Sequence, residues 1–431
     1  MMLNENQKFI VNTETLRQEN IPTGYQKTKY GVIPSDWEIK KVKDILKRVR
    51  NPVDVQKDVD YKQIGIRSHG KGIFYKESVK GEELGNKAVF WVVPDCFIVN
   101  IVFAWELAVA KTTDKEVGFI ASHRFPMYKA IEGLLDLDFI TYMFKSPRGK
   151  YLLNVASPGG AGRNKTLGQK EFGELEVPIP SSINEQQKIA TILTTWDKAI
   201  ELNVKLIDEK KEQKKALLQN LLTGKIRLPG FNGEWKKVFL KDIVLGKGSY
   251  GINAPSVENN PKLPTYLRIT DISDEGYILT NGLRSVDHPD SGNYFLEVND
   301  IVFVRTGAST GRTYLYDKSD GKLVYAGFLI KFSIDSAKAD PKFIKFSTET
   351  EKYNNWVRVM GVRSGQPGIN AEEYGKLPLY LPPISEQKAI SSILENIDRE
   401  ILLLKSKLDL IKKQKKGLMQ NLLTGKVRVE I

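Results

Sequence analysis

An internal repeat constrains the fold of this 431-residue chain more than any other feature of its sequence. The segment QNLLTGK at residues 219–225 recurs, identical, at residues 420–426. The same offset of 201 residues places Glu185 on Glu386, and the residues between these anchors align without a gap: Ile189 with Ile390, Leu193 with Leu394, Asp197 with Asp398, and Ile200 with Ile401. An ungapped match over about 40 residues indicates a duplicated unit.

The repeat also includes the stretches that precede these segments. WEIKKVKDI begins at Trp37 and WKKVFLKDI at Trp235, Tyr61 and Tyr266 open similar strand-like segments, and residues 175–180 match residues 377–382. The interiors between these markers differ. The pattern predicts two domains with a common framework and different contents. For the interiors, an old duplication that kept only its fold is the alternative.

Each ungapped segment is a predicted long helix. Its apolar residues recur at spacings of three and four, which is a heptad seam typical of coiled coils. Asn184 and Ser385 are the candidate N-caps, and Gly224 and Gly425 the C-terminal caps. A helix of this kind is about 57 Å long. Because an isolated helix would leave its seam exposed, we expect the two copies to pack on each other.

Lysines are concentrated toward the C-terminal end of both predicted helices, at Lys210, Lys211, Lys214 and Lys215 and at Lys412, Lys413, Lys415 and Lys416. The position favours a solvated flank that complements the helix dipole. Contact with phosphate or with a partner protein is the alternative.

The stretches outside the helices predict mixed α/β domains with many short strands, including residues 88–93, 97–104, 301–305 and 329–333. The predicted order is an N-terminal extension, a globular domain, a spacer helix, a second globular domain and a second spacer helix. Their boundaries are 1–30, 31–180, 181–228, 229–382 and 383–431.

Loops rich in glycine and basic residues interrupt both globular domains, and the net charge of the chain is +13. Such a surplus favours a polyanionic partner, because each neutralised phosphate releases counterions. Arginine and lysine also recognise base edges. A basic chain whose glycines serve only as turns is the alternative. The residues that we predict to contact DNA are Arg67, His69, Arg163 and Lys165 in the first domain and Arg268, Arg305, Arg312 and Arg363 in the second.

Sequence motifs that would indicate an enzyme are missing. The single cysteine, Cys96, excludes an internal disulfide and a cysteine-based zinc site, and the three histidines do not have metal-ligand spacing. Residues 159–166 resemble a phosphate-binding loop, but Asn164 stands where the pattern requires glycine. No apolar run of about 18 residues and no signal pattern is found. The sequence therefore predicts a non-catalytic chain without a metal site or membrane span, located in the cytoplasm.

Along nearly its whole length the sequence resembles the specificity subunit of Type I restriction–modification systems. The likeness is found in VIPSDWEIKKVKDI at residues 32–45, in NEQQKIATIL at the start of the first helix and in QNLLTGK at its end. The second copy repeats it as GEWKKVFLKDI, LPPISEQKAISSIL and QNLLTGK, and IVFVRTG at residues 301–307 is also typical of the family.

The resemblance implies two target recognition domains, separated by two long conserved helices that form an antiparallel coiled coil with pseudo-two-fold symmetry. Each domain would recognise one half of a bipartite double-stranded DNA target. The helices would dock two methyltransferase (modification) subunits, which restriction (translocase and endonuclease) subunits would join, and S-adenosylmethionine, ATP and magnesium would bind to those partners. A duplicated coiled-coil adaptor that does not bind DNA is the rival hypothesis. The residues predicted for the coiled coil and partner contact are Ile189, Leu193, Trp196, Ile200, Ile390, Leu394, Ile397 and Ile401.

Overall fold

The computed structural model describes residues 21–159, 165–362 and 366–431, and the chain divides into two compact units. Unit 1 comprises residues 1–202 and 408–431, and unit 2 comprises residues 203–407. Both divisions fall inside the long helices. Each long helix therefore contributes one half to each unit. The predicted linear order, in which each helix is a separate spacer between domains, does not describe this division.

The described helices include two of 39 residues and several short ones. The α-helices are α1 Val42–Ile45, α2 Gly81–Leu84, α3 Leu137–Lys145, α4 Pro147–Val155, α5 Gln169–Glu174, α6 Ile183–Leu221, α7 Pro341–Ser347, α8 Glu351–Met360, α9 Ala371–Gly375 and α10 Ile384–Leu422. The 3-10 helices are Ala104–Glu106, Asp114–Glu116, Leu240–Asp242, Ile269–Asp271, Pro289–Tyr294 and Lys318–Asp320.

Short strands make up the rest of both units. Those of unit 1 are β1 Tyr25–Thr28, β2 Gly31–Pro34, β3 Trp37–Lys41, β4 Leu46–Val49, β5 Asp60–Ile66, β6 Ile73–Tyr75, β7 Val79–Lys80, β8 Val89–Trp91, β9 Phe97–Val99, β10 Val109–Lys111, β11 Phe119–Ser122, β12 Met127–Ala130 and β13 Glu176–Pro180. Those of unit 2 are β14 Lys236–Phe239, β15 Ser249–Tyr250, β16 Ser256–Val257, β17 Thr265–Leu267, β18 Arg284–Val286, β19 Asp300–Val304, β20 Thr313–Leu315, β21 Leu323–Tyr325, β22 Leu329–Ser333 and β23 Pro378–Leu381.

The two units have corresponding sheets. Unit 1 contains an antiparallel sheet in the order β10-β9-β12-β4 and a mixed sheet in the order β6-β5-β11-β8, in which β5 and β11 are parallel and β7 also pairs with β5. Unit 2 contains an antiparallel sheet in the order β15-β22-β19-β20 and a mixed sheet in the order β16-β18-β17-β21, in which β17 and β21 are parallel. The pair β13-β3 in unit 1 corresponds to β14-β23 in unit 2. The predicted mixed α/β class is confirmed.

The predicted strand at residues 97–104 is shorter in the structure, because β9 ends at Val99. The next residue, Asn100, is buried, and its side-chain Oδ1 accepts a hydrogen bond from the backbone N–H of Val102 at 3.1 Å. This local bond turns the chain out of the sheet and into the 3-10 helix Ala104–Glu106.

The long helices begin at Ile183 and Ile384, so the predicted N-caps Asn184 and Ser385 were wrong and lie inside the first turn. The predicted C-terminal glycines are confirmed: Gly224 and Gly425 both have a φ of +70°, a left-handed conformation that glycine adopts without a steric penalty.

In each unit the start of one long helix pairs with the end of the other, so the two helix segments are antiparallel. In unit 1, Lys415 of α10 contacts Asp197 of α6, with 2.5 Å between Nζ and Oδ1. In unit 2, Lys214 of α6 contacts Asp398 of α10 at 2.7 Å. The two ion pairs are equivalent under the 201-residue repeat, which supports the predicted internal repeat.

These contacts correct the interpretation of the lysine clusters as solvated flanks for three of their members, whereas the other five lysines are exposed. Lys214 is buried, and its ammonium contacts both Asp398 and Glu349. Lys415 is half-buried against Asp197, and Lys210 pairs with Glu400 at 2.6 Å. The carboxylates that hold these lysines come from distant segments, so the local charge pattern did not indicate them.

The repeated Glu-Gln pair at the start of each long helix anchors it to the globular part. In unit 1, Gln186 accepts a hydrogen bond from the backbone N–H of Asp136 at 2.8 Å and donates to the carbonyl of Pro180 at 2.9 Å. Gln387 makes the equivalent bonds with Asp340 and Pro382. Because both glutamines are buried, these bonds are needed to satisfy their amide groups.

The neighbouring glutamates are matched by arginines that follow the helix ends. In unit 1, buried Glu185 forms two hydrogen bonds with Arg428, at 2.8 and 2.9 Å. In unit 2, buried Glu386 forms the same bidentate pair with Arg227 at 2.7 Å. The segment after each helix is thereby fixed beside the start of the other helix, and this explains the glutamate that recurs at both anchor points of the repeat.

Candidate nucleic-acid interface

In unit 1 the predicted DNA contacts surround two connected turns. Arg67 and His69 are exposed in the loop after β5, and His69 has a positive φ of 61°. The backbone N–H of His69 donates to the carbonyl of Glu106 at 2.6 Å, and Gly70 donates to Leu107 at 2.8 Å. These bonds hold the loop against the 3-10 helix Ala104–Glu106 and present both side chains outward.

Lys165 lies next to the same turn. Its ammonium donates to the Asn154 side chain at 2.8 Å and lies 5.8 Å from the centre of the Trp105 ring. Lys165 therefore lies beside the same 3-10 helix that holds the loop of Arg67 and His69. Trp105 of this helix is half-exposed, and the sequence did not lead us to predict it. An aromatic residue beside a basic loop is a signal for nucleic-acid binding that could have identified it.

In unit 2, Arg305 is the described member of the predicted set that has an aromatic neighbour and no carboxylate partner. It follows the buried strand β19, and its guanidinium carbon lies 4.9 Å from the centre of the Tyr250 ring. The Tyr250 hydroxyl in turn accepts a hydrogen bond from the backbone N–H of Ala371 at 3.1 Å. The aromatic ring holds the guanidinium in place without neutralising it, so its charge is available to a ligand.

The other two predicted DNA contacts of unit 2 that the structure describes, Arg268 and Arg312, have carboxylate partners. Arg268 forms a bidentate pair with buried Asp271, at 2.7 and 2.9 Å, and also donates to the carbonyl of Gly282. The Asp271 carboxylate raises the pKa of Arg268 above its ordinary value. Arg312 pairs with Asp274, which is exposed. Arg268 thus stabilises its own turn first, and Arg305 is the best placed of the three to contact a groove.

The loops after β9 and β19 share one backbone framework. In unit 1, the N–H of Ile101 donates to Arg124 and the N–H of Leu167 donates to the carbonyl of Ile101. In unit 2, the N–H of Arg305 donates to Phe328, and Ile369 donates to the carbonyl of Arg305, with distances of 2.8 to 3.1 Å throughout.

The side chains on this framework differ between the units. Arg305 takes the position that Ile101 has in unit 1, and Arg312 takes the position of Ala108, because the N–H of Val304 donates to Arg312 as that of Asn100 donates to Ala108. Equivalent backbone positions therefore carry charge in unit 2 and apolar groups in unit 1. This agrees with the predicted common framework with different contents.

Two further predicted contacts, Arg163 and Arg363, lie outside the described residues. The role of the whole set in DNA contact stays a prediction.

The seam residues predicted for the coiled coil and partner contact are mostly inside the chain. Ile189 and Leu193 belong to the core of unit 1, together with Leu422 from the end of α10. Ile390 and Leu394 belong to the core of unit 2. Ile397 and Ile401 are buried, and Trp196 and Ile200 are half-buried. The fully buried members of this set are therefore not accessible to a partner. Leucines elsewhere on the helices are more than half exposed: Leu202, Leu402, Leu403 and Leu410.

Across residues 21–159, 165–362 and 366–431, no group of three His, Cys, Asp or Glu side chains is arranged to hold a metal ion. Within the same residues no helix combines the length and the apolar character needed to cross a membrane.

Two equivalent units, each built on an antiparallel helix pair and each with its own set of basic loop residues, define a duplicated recognition subunit. Comparisons with known proteins agree. The model of the Type I restriction modification DNA specificity domain matches the chain twice, at residues 34–211 and 232–413. Because these matches cover most of the sequence, the chain belongs to the family of Type I restriction modification DNA specificity domains.

Relatives agree with this assignment, and a solved structure shares the fold. The chain is 24% identical over 424 residues to the Type I restriction enzyme MjaVIII specificity subunit of Methanocaldococcus jannaschii, covering 92% of this chain and 94% of that one. It is 24% identical over 311 residues to the StySPI specificity subunit of Salmonella potsdam, which covers 68% and 66% of the two chains. The Type I restriction-modification S subunit from M. genitalium shares the fold with a TM-score of 0.57 at 14% identity, covering 92% of this chain and 96% of that one. The protein is a DNA-recognition subunit, and the adaptor hypothesis is set aside.

Proposed function

We propose that the two units recognise different halves of one bipartite double-stranded DNA target. The observation that supports this most directly is the common backbone framework that presents Arg305 and Arg312 in unit 2 but Ile101 and Ala108 in unit 1. A shared framework sets a common docking geometry, whereas base choice depends on the few side chains that reach the groove. Units that differ at these positions should differ in the sequence that they recognise.

The long helices are the proposed docking elements for two methyltransferase subunits, which restriction subunits then join. The exposed leucines of α6 and α10, rather than the buried seam, are the surface available for this contact. S-adenosylmethionine, ATP and magnesium would bind to those partners, and this chain would supply recognition without catalysis. The complex would act in the cytoplasm, where its DNA is.

The test is a complex reconstituted with a modification subunit, with methylation mapped on a library of duplexes. Arg305→Ala should relax one position of a single half-site, with a loss of discrimination of about 1–3 kcal/mol. Lys318→Ala, a change in a 3-10 helix outside the basic loops of unit 2, is the matched control and should leave both half-sites unchanged. Equal effects of Arg305→Ala on all sequences would identify a phosphate contact, and no effect would remove Arg305 from the interface.

The spacing between half-sites is proposed to follow helix length, since α6 and α10 each run from one unit into the other. Insertions at Thr223 or Thr424 would disturb the glycine turns that follow. Seven residues added to both helices, after Leu202 and after Lys407, keep the heptad period. They lengthen each helix by about 10 Å, or about three base pairs. A methylation map with both half-sites intact and their spacing unchanged would refute this part of the proposal.

A further inference from the structure

The N-terminal hairpin of unit 1 covers a surface whose equivalent in unit 2 is open. This hairpin, residues 21–34, contains the paired strands β1 and β2. The hydroxyl of Tyr25 donates to the carbonyl of Gly425 at 3.0 Å, and the Pro34 ring packs against Gly425 so closely that a Cβ there would lie 2.4 Å from Pro34 Cδ. Beneath the hairpin, Trp37 is only 2% exposed. The described end of the predicted N-terminal extension is therefore part of unit 1.

Tyr30 makes the most specific contacts of this hairpin. Its backbone carbonyl accepts a hydrogen bond from Arg148 at 2.8 Å, and its ring lies 5.1 Å from the same guanidinium. Its hydroxyl donates to Glu176 at 2.9 Å, and the adjacent Lys29 pairs with Glu176 at 2.6 Å. One aromatic residue is thus held by a cation on its main chain and a carboxylate on its side chain.

The equivalent positions in unit 2 follow from its helix starts. Thr350 caps α8 as Ser146 caps α4, and each is the last residue before its helix. Lys352 is therefore the counterpart of Arg148. No hairpin precedes Trp235, because only residues 225–234 separate it from the glycine turn that ends α6. The matching surface is an open pocket of about 640 Å³.

The lining of this pocket suits an aromatic guest. Trp235, Tyr353, Trp356 and Tyr380 line it together with Lys352. Tyr380 is 40% exposed, and the Lys352 ammonium lies 3.7 Å from the centre of its ring. Within the part of the chain that the structure describes, no carboxylate pairs with Lys352. A cation that faces only an aromatic ring retains its capacity to donate hydrogen bonds to a ligand.

We propose that this pocket of unit 2 binds an extended polypeptide segment of a partner protein. The segment places an aromatic side chain among Trp235, Trp356 and Tyr380 and directs the main-chain carbonyl of the same residue toward Lys352, as Tyr30 does toward Arg148. This activity goes beyond DNA recognition and does not depend on it.

The charges of the pocket define the preferred segment further. The position of Glu176 in unit 1 corresponds to Pro378 in unit 2, since each residue begins its strand and pairs with the last residue of the partner strand, Lys41 or Phe239. A lysine like Lys29 therefore has no carboxylate to meet at that position, and a segment with a neutral residue there is favoured; Glu234, which also lines the pocket, disfavours an acidic segment. A hairpin from a second copy is disfavoured, because tethering gives each hairpin a high effective concentration at its own unit.

The experiment uses the full chain and a fluorescein-labelled peptide that copies residues 21–36, measured by fluorescence anisotropy. We expect one peptide to bind per chain. Lys352→Ala and Tyr380→Ala should each weaken binding about tenfold, and Lys318→Ala should not. A peptide with Lys29→Ala should bind at least as tightly as the parent, whereas a peptide with Tyr30→Ala should bind about tenfold more weakly.

Several results would overturn the proposal. The first is the absence of saturable binding. The second is binding that Arg148→Ala weakens and Lys352→Ala does not, and the third is displacement of the peptide by duplex DNA. Self-association of the chain in sedimentation that Lys352→Ala abolishes would instead identify a second copy as the occupant. Retention of duplex DNA by the Lys352→Ala chain should match the parent, so that failure of this proposal is distinguishable from failure of DNA recognition.

Discussion

Replacing Lys214 with methionine should destabilise the protein far more than the same change at Lys415, its equivalent in the repeat. Lys214 has a side chain that is 11% exposed and contacts Asp398 at 2.7 Å and Glu349 at 2.6 Å, and these carboxylates are themselves 13% and 17% exposed. Methionine keeps the apolar length and removes the charge. The Asp398 carboxylate then loses its cation in a poorly solvated place, whereas Glu349 keeps a second partner, Lys345, at 2.7 Å.

The magnitudes follow from burial. Breaking a buried ion pair by removing one partner costs about 3–5 kcal/mol, because an uncompensated charge stays in a poorly solvated place. Lys415 contacts Asp197, whose side chain is 46% exposed, so water solvates the remaining carboxylate and the expected loss is about 1 kcal/mol or less. Burial by itself lowers the pKa of Lys214, but Glu349 and Asp398 raise it above the ordinary value. The contribution of Lys214 is therefore present at neutral pH and is lost only as the pH rises through that raised pKa.

Urea unfolding of the full chain, with hydrogen exchange to follow each unit, measures both losses. Lys413→Met, at an exposed position on the same helix as Lys415, is the control and should change stability little. Equal losses from Lys214→Met and Lys415→Met, or a larger loss from the second, would refute the reasoning from burial.

Three other expectations test the packing. Leu422→Ala should cost about 2–5 kcal/mol and expose unit 1 to proteolysis, whereas Leu221→Ala should act on unit 2; the reverse pattern would contradict the division of the helices. Gly425→Ala should destabilise the chain more than Gly224→Ala in urea unfolding. Both alanines are strained by the left-handed backbone, but only the alanine at 425 also meets a proline ring. Equal losses of stability would argue against the packing of the hairpin on Gly425. Burial raises the pKa of Cys96 to about 11, so at pH 8 about one molecule in a thousand carries the thiolate. Alkylation of Cys96 should therefore be slow until urea unfolds unit 1, and rapid alkylation of the folded chain would disprove this.

Much of the architecture could be predicted because it depends on local periodicity. The heptad spacing identified both long helices, the glycines at positions 224 and 425 marked their ends, and runs rich in Val, Ile and Phe located β19 and β22. The basic loops around Arg67 and Arg305 were also recognisable, since glycine and charge occur together there. These features depend on residues within a few positions of each other.

Other features of the candidate site could not be predicted in this way. The loop at Arg67 meets the turn at Glu106 through hydrogen bonds that join segments almost 40 residues apart in sequence. The ring of Tyr250 that supports Arg305 comes from a different strand. The Arg268–Asp271 pair is an exception, because a spacing of three residues could have suggested that this arginine is occupied.

The sequence by itself determined that the chain is a duplication, that each copy ends in a long helix, and that the two copies differ in the loops that carry charge. Only the tertiary structure decided which parts belong together. The end of the second helix completes the unit that contains the N-terminal hairpin, through Arg428 with Glu185 and Leu422 in the core. It also decided that Lys214 is buried and that one of two equivalent surfaces is left open. The physical reason is that periodicity acts over a few residues, whereas burial and ion pairing depend on contacts between segments that the sequence separates by hundreds.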